Sequence, residues 1–415
     1  MVVTIEPSIA QGRMTAPPSK SMAHRMLICA ALAEGTSVIR NVDCSQDILA
    51  TIDCLRALGA DITWEDGTVH VQGMRIAHVR DAQIMNAQEI VILPCRESGS
   101  TLRFLLPLCL MDGVPHVLTG SERLLQRPLA VYETICREQG IVFVKEKNRL
   151  QVAGTLAAGE YEIPGNVSSQ FISGLLFALP LLEEDSRIHL AGTVESRPYI
   201  DMTMQALPMF GVRTEWTGTH TIEVPGRQAF LAQDVCVEGD YSSACFFDAL
   251  HLLGGDVTVE GLAKESAQGD RIYRQYLDQV DAGYAELDLA DCPDLAPILM
   301  VLAALKHGAK FTGTARLKFK ESDRGAAMQE ELEKAGVKVE LADNEIRVAA
   351  GVKAPAEPLQ GHGDHRIVMA LAVLLSKVGG SIRGAEAVAK SLPDFWERLA
   401  GLGIRVRLEN EAKGK

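Results

Sequence analysis

Three short segments set small polar residues and a charged or amide side chain at the head of an apolar run. They are Pro17-Pro18-Ser19-Lys20-Ser21 with Arg25, Glu97-Ser98-Gly99-Ser100-Thr101 with Arg103, and Gly165-Asn166-Val167-Ser168-Ser169-Gln170. A helix start leaves N–H groups unpaired and carries the positive end of the helix dipole, so side-by-side starts attract anions. Arginine inside an apolar helix is costly unless it is paired or faces an anion, and a guanidinium matches phosphate and carboxylate geometry. A second, denser set of charges runs Lys318-Phe319-Lys320-Glu321-Ser322-Asp323-Arg324, then Asp364-His365-Arg366, then Lys390-Ser391-Leu392-Pro393-Asp394. The first of these follows the Gly313 turn and opens an amphipathic helix. The chemistry expected is the capture of small ligands bearing phosphate or carboxylate. In contrast, Asp240-Tyr241-Ser242-Ser243 has no neighbouring cation, and Ser242 and Ser243 read as ordinary helix caps.

The elements that position these groups recur. A polar lead-in, an apolar helix, a Gly-containing turn and a short β-type run appear in six copies, at a period of roughly 70 residues. The apolar helices centre on His24–Leu32, Thr101–Leu108, Gln170–Leu179, Ala244–Leu250, Leu295–Leu302 and Arg366–Leu375. Each is apolar on nearly every face and is expected to be buried, whereas a second helix such as Met328–Gly336 keeps its charges on one side and covers the outside. Six copies suggest two pseudo-symmetric halves of three.

Composition narrows the function classes. The 415 residues exceed one ordinary core, and 47% hydrophobic with 23% charged residues is globular. A net charge of -13 argues against nucleic acid, so any anion site is a local concentration of cations in an acidic chain. The nine cysteines are scattered without CxxC or zinc-like spacing, as expected of reduced thiols in the cytoplasm. The first residues lack a secretory pattern and no apolar stretch reaches the ~18 residues of a membrane span, so the expectation is a soluble cytoplasmic protein without a membrane partner.

Several of these segments, in order, resemble the 5-enolpyruvylshikimate-3-phosphate synthases. The resemblance rests on Pro17–Ser21 with His24-Arg25, Gln126-Arg127-Pro128, Val167–Phe171, Arg197-Pro198-Tyr199-Ile200-Asp201, Lys320–Arg324, Asp364–Arg366 and Ala389–Asp394. It implies an α/β fold of two inside-out α/β barrels, each of three repeated units with buried parallel helices and outer sheets. The implied domains are 20–239, and 1–19 with 240–415, with a two-strand hinge near 13–20 and 237–241. The implied reaction joins phosphoenolpyruvate to the 5-hydroxyl of shikimate 3-phosphate and releases phosphate in a closed cleft between the domains. No cofactor, metal or macromolecular partner is implied, and a monomer is expected.

Carried over by motif, Lys20, Ser21, Arg25, Ser168, Ser169, Gln170, Ser196, Tyr199, Asp294 and Lys320 would hold shikimate 3-phosphate. Lys20, Gly99, Arg127, Gln170, Arg324, Arg366 and Lys390 would hold phosphoenolpyruvate. Asp294 would be the base at the 5-hydroxyl. Glu321 would protonate the methylene if surrounding negative charge raises its pKa, and Lys20 and Lys390 would stabilise developing charge. Two departures stand out. Glu97-Ser98-Gly99-Ser100 replaces an Asn-Ala-Gly-Thr type segment, and Phe104 stands where Pro is common, which bears on sensitivity to the inhibitor glyphosate.

The sister transferase acting on UDP-N-acetylglucosamine typically carries a reactive Cys before its Arg-Pro segment, and Ser121–Pro128 has none. An RNA 3'-phosphate cyclase would need a basic surface. A non-catalytic anion-binding homologue would have no need of Asp294, Glu321 and Lys20 together.

Overall fold

The six apolar runs form helices at Lys20–Leu32, Gly99–Leu105, Ser169–Ala178, Tyr241–Leu252, Ala296–Leu305 and His365–Val378. The structure is a computed structural model describing residues 1–74 and 90–409. Every residue from Ala296 to Ala304 is buried, as is every residue from Met22 to Leu32. Full burial of each Leu, Ile, Val or Phe is worth about 1.5–3 kcal/mol, so these helices are the cores of their units.

The chain folds as two units, Pro18–Glu238 and Met1–Pro17 with Gly239–Lys415. In the Pro18–Glu238 unit, three mixed sheets share one order. In two of them the strand before a buried helix pairs parallel with the strand after it. In the third, Asp234–Cys236 from the end of the unit takes the place of the leading strand beside Thr36–Arg40, and an antiparallel hairpin completes each sheet. The sequence Glu160–Pro164, helix Ser169–Ala178, Ser186–Ala191 shows the logic, since a parallel pair needs such a crossover. Tyr161, Ile163, Ile188 and Leu190 point into the core. Between them, Arg187 bridges Glu160 and Glu223 at 3.0 and 2.7 Å on the outer face. Alternation with period two puts one face in and the other out.

The Met1–Pro17 and Gly239–Lys415 unit has two such four-stranded sheets, one closed by a hairpin and the other by strands from the two ends of the chain. One sheet is built from Ala285–Asp288, Ala309–Thr312, Glu345–Val348 and Val339–Ala342, the other from Leu359–Gln360, Gly380–Arg383, Val2–Glu6 and Arg405–Glu409. The fourth copy departs from the repeat expected of the sequence. Asp256–Glu260 pairs only with Gln11–Thr15, in a two-stranded parallel sheet. After the helix Tyr273–Ala282 the chain enters the next sheet at Ala285–Asp288 without forming a hairpin.

Five of the six buried helices follow an extended or turn residue that caps them. Ser19, Ser98, Ser168, Asp240 and Asp364 each accept a first-turn N–H. Ser242 and Ser243, read from the sequence as caps, are not: Asp240 accepts the Ser243 N–H at 2.6 Å, and the Ser242 hydroxyl bonds to Asp270. The helix Ala296–Leu305 instead continues from a 3-10 turn, Pro293–Leu295. Asp294 sits on that turn and is free of a capping role.

Candidate active site

In the Pro18–Glu238 unit, Lys20 occupies the first residue of its helix and pairs with Asp47 at 2.8 Å, both side chains being mostly buried. One turn on, Arg25 is buried and donates to the Thr203 hydroxyl (2.8 Å), the carbonyls of Ser21 (2.6 Å) and Tyr199 (2.7 Å), and the Ser173 hydroxyl (3.4 Å). All four acceptors are neutral. Burial pushes this guanidinium down to about 10, and its positive charge stays uncompensated by a carboxylate, a state that favours an anionic ligand. The sequence argument that such an arginine must pair or face an anion missed this third option of carbonyl and hydroxyl acceptors.

A second group joins two helix starts. Arg103 donates to Gln170 Oε1 at 2.7 Å and to the Pro128 carbonyl at 3.0 Å, while Gln170 Nε2 donates to Ser100 Oγ at 2.9 Å. Ser168 caps the helix through the Gln170 N–H, and Ser169 is buried at its first residue. Gly99 lies against Arg127, so that a Cβ there would overlap the guanidinium. Absence of a side chain is what admits Arg127 to this place. Gly174 plays the same part deeper in the core, where a Cβ would strike Tyr132 Oη and the Arg103 carbonyl. Ser196, with φ 55°, turns the chain into the helix Arg197–Met209 that carries Tyr199.

These helix starts are tied together through Thr51, which the sequence reading did not single out. His24 Nδ1, Thr51 Oγ1, Thr101 Oγ1 and Ser98 Oγ form a buried chain with successive distances of 2.7, 2.7 and 2.7 Å. Burial, then Lys20 and Arg25, hold the His24 imidazole well below its ordinary pKa, so it is neutral here. Phe104 packs edge-on to His24 and Phe177 and lies 5.1 Å beneath the Arg25 guanidinium. The other departure, Glu97, is exposed.

The Met1–Pro17 and Gly239–Lys415 unit gathers Asp294, Lys320, Glu321, Arg324 and Arg366 into one ionic cluster. Asp294 Oδ1 lies 3.1 Å from Lys320 Nζ and 2.7 Å from Arg324 Nη1, and its Oδ2 lies 3.6 Å from Arg366. Burial pushes the Asp294 carboxyl up, but Lys320, Arg324 and Arg366 outweigh it and hold the group well below the usual carboxylate range. Arg324, almost fully buried, also meets Glu321 at 2.9 Å and Asp364 at 2.9 and 3.4 Å. Glu321 therefore has a cation against it, where the sequence reading looked to surrounding negative charge. Asp364, fully buried, does three things: it grips Arg324, accepts the Ser322 hydroxyl at 3.0 Å, and caps the next helix through the Arg366 N–H at 2.9 Å. Its place immediately before an apolar helix was the available signal.

Arg366 is the informative member. It is 3% exposed, yet its Nε and Nη1 have no hydrogen-bond partner among the described residues. One such unmade bond in a buried site costs about 1–3 kcal/mol, and buried guanidinium donors left open favour an oxyanion ligand. Lys390 donates to the Gly363 carbonyl at 2.6 Å. Glu330, Glu331 and His362 bring three ligand atoms within 4.8 Å of one another. Lys334 Nζ lies 3.0 and 2.9 Å from the two carboxylates and takes the part a metal ion would play.

The chain resembles known proteins along nearly all of its length. The family model described as EPSP synthase (3-phosphoshikimate 1-carboxyvinyltransferase) matches residues 6–399. A 3-phosphoshikimate 1-carboxyvinyltransferase of Clostridium kluyveri is 37% identical over 422 residues, covering 97% of this chain and 97% of that protein. One from Clostridium beijerinckii is 38% identical over 424 residues, covering 96% and 97%. An EPSP synthase structure from Acinetobacter baumannii superposes with a TM-score of 0.75 at 23% identity, covering 99% of this chain and 100% of that one, which speaks for the mixed α/β fold. No helix among the described residues is long and apolar enough to cross a membrane. The chain belongs to the EPSP synthase family.

Proposed function

We propose that this chain transfers the enolpyruvyl group of phosphoenolpyruvate to the 5-hydroxyl of shikimate 3-phosphate and releases inorganic phosphate, as a monomer of two inside-out α/β barrels. The observation that carries the reading is Arg366, a buried guanidinium with two unpartnered donors beside an ionised aspartate. In this reading, residues 20–239 clamp shikimate 3-phosphate through Lys20, Ser21, Arg25, Ser168, Ser169, Gln170, Ser196 and Tyr199. Residues 1–19 and 240–415 supply Asp294, Lys320, Glu321, Arg324, Arg366 and Lys390, and strands near 13–20 and 237–241 act as the hinge. Phosphoenolpyruvate is held by Lys20, Gly99, Arg127, Gln170, Arg324, Arg366 and Lys390.

The chemistry is an addition followed by an elimination. The 5-hydroxyl oxygen bonds to the enol carbon while its proton passes to Asp294, and the methylene carbon takes a proton from Glu321 to become methyl. Reversal of that proton transfer restores the double bond as the carbon–oxygen bond to phosphate breaks. Lys20 and Lys390 offset the charge that builds on the departing phosphate. A carboxylate pinned by three cations is a weak base, so Asp294 gains basicity only as the anionic substrates draw Lys320 and Arg366 toward themselves. Glu321 likewise serves as an acid once Arg324 turns to the substrate.

Titration calorimetry tests the binding half of this reading. Shikimate 3-phosphate is expected to give saturable heat, and phosphoenolpyruvate to bind more tightly once it is present. UDP-N-acetylglucosamine is expected to give no heat. Saturable binding of the sugar nucleotide, or none of shikimate 3-phosphate, would overturn the substrate assignment.

A further inference from the structure

We propose that His362 is a positioning residue: by holding Glu331 it fixes the loop Gln360–Asp364 against the Arg324–Lys334 helix, and so sets Arg324 and Arg366 for their anion. The inference rests on the proposed function of those two arginines. Arg324 and Glu331 lie seven residues apart, two helical turns, and share one helix face. That face meets the loop at two places. At one end Arg324 holds Asp364, which in turn caps the helix of Arg366. At the other end Glu331, fully buried, accepts from the Gln360 N–H at 2.9 Å and from His362 Nε2 at 2.7 Å. The second contact ties the loop to the helix two turns beyond the Arg324–Asp364 pair.

His362 is held in a conformation that L residues rarely adopt, φ 49°, and the next residue, Gly363, presents its carbonyl to Lys390. A backbone held in a sparsely populated conformation persists where its surroundings fix it, and the bond from the imidazole to Glu331 is one such tie. The charged groups facing the imidazole are Glu331 at 2.7 Å, Glu330 at 4.0 Å, and Lys334, which neutralises both carboxylates. The hydrogen bond to Glu331 first, against some burial, raises His362 above its ordinary value. A group raised on folding contributes fully below its unfolded pKa of about 6.5, and that contribution fades as pH rises through the folded value.

The test compares KM for phosphoenolpyruvate, KM for shikimate 3-phosphate and kcat across pH for the full chain, H362Q and H362A. For the unmodified chain, KM for phosphoenolpyruvate is expected to climb about tenfold as His362 loses its proton, the scale of one charge-assisted bond. H362Q, which still donates but does not titrate, is expected to flatten that limb. H362A is expected to hold the high KM at every pH, with kcat and KM for shikimate 3-phosphate changed by less than about twofold. An unchanged KM in H362A at low pH, or an intact limb in H362Q, would overturn the proposal. If H362A does not fold, the H362Q profile alone decides. Failure of the unmodified chain to use phosphoenolpyruvate at all would instead sink the function on which the inference rests.

Discussion

Arg366→Met is expected to lower kcat/KM for phosphoenolpyruvate by about 10³-fold, the range for truncating one partner of a buried charged contact. The ligand-free protein should not be less stable for it. Arg366 is 3% exposed with two donors unmet, so replacing it with an apolar chain of similar length removes an unsatisfied polar group from the interior. Asp294 keeps Lys320 and Arg324 at 3.1 and 2.7 Å. The signature is therefore a Tm that holds or rises, together with loss of the Tm increase that phosphoenolpyruvate gives. A purely structural arginine would show the reverse, a fallen Tm with ligand stabilisation intact. Thermal melts with and without the ligand separate the two.

Asp294→Asn is expected to cut kcat by about 10³-fold, within the range lost with a general base, while phosphoenolpyruvate binds as tightly as before or more tightly. The reason lies in the cluster: Asp294 faces Lys320, Arg324 and Arg366, and the amide removes that charge from Lys320 and Arg366, while Arg324 keeps Glu321 and Asp364. A carboxyl depressed on folding contributes stability above its unfolded value, and that contribution is lost as pH falls through the depressed value. The unmodified chain should thus show a deeper acid limb of stability than Asp294→Asn, which keeps only the part owed to other depressed carboxylates such as Glu331 and is weaker at neutral pH. Single-turnover kinetics with urea melts from pH 2 to 7 would check both. Turnover within tenfold of the unmodified chain would make Asp294 a ligand to the cations and not the base.

Much of this was legible in the chain because helix starts leave a local mark. Ser19, Ser98, Ser168 and Asp364 stand immediately before apolar runs, and all four accept first-turn N–H groups. Side-chain partners left no such mark. Lys20 with Asp47, Arg25 with Ser173 and Thr203, and Arg324 with Asp364 are separated by 27, 148, 178 and 40 residues, and no local pattern encodes a contact across such a span. The charge state of Glu321 was obscured differently, because its partner lies three residues on in a run that also offers Lys318, Lys320 and Asp323. Glu321 reads as one carboxylate in a mixed run, whereas its spatial neighbour is the guanidinium of Arg324. The missing hairpin of the fourth copy was masked by a helix, Tyr273–Ala282, that fits the repeat perfectly well.

The central claim is that this ionic cluster serves an enolpyruvyl transfer that requires both substrates. Its most direct test is a coupled assay of inorganic phosphate release from phosphoenolpyruvate by the purified full chain. Release is expected only when shikimate 3-phosphate is present, one phosphate for each enolpyruvyl ether formed, with none when UDP-N-acetylglucosamine is offered instead. No release, with both substrates bound, would contradict the claim and leave an anion-binding protein that does not catalyse the transfer.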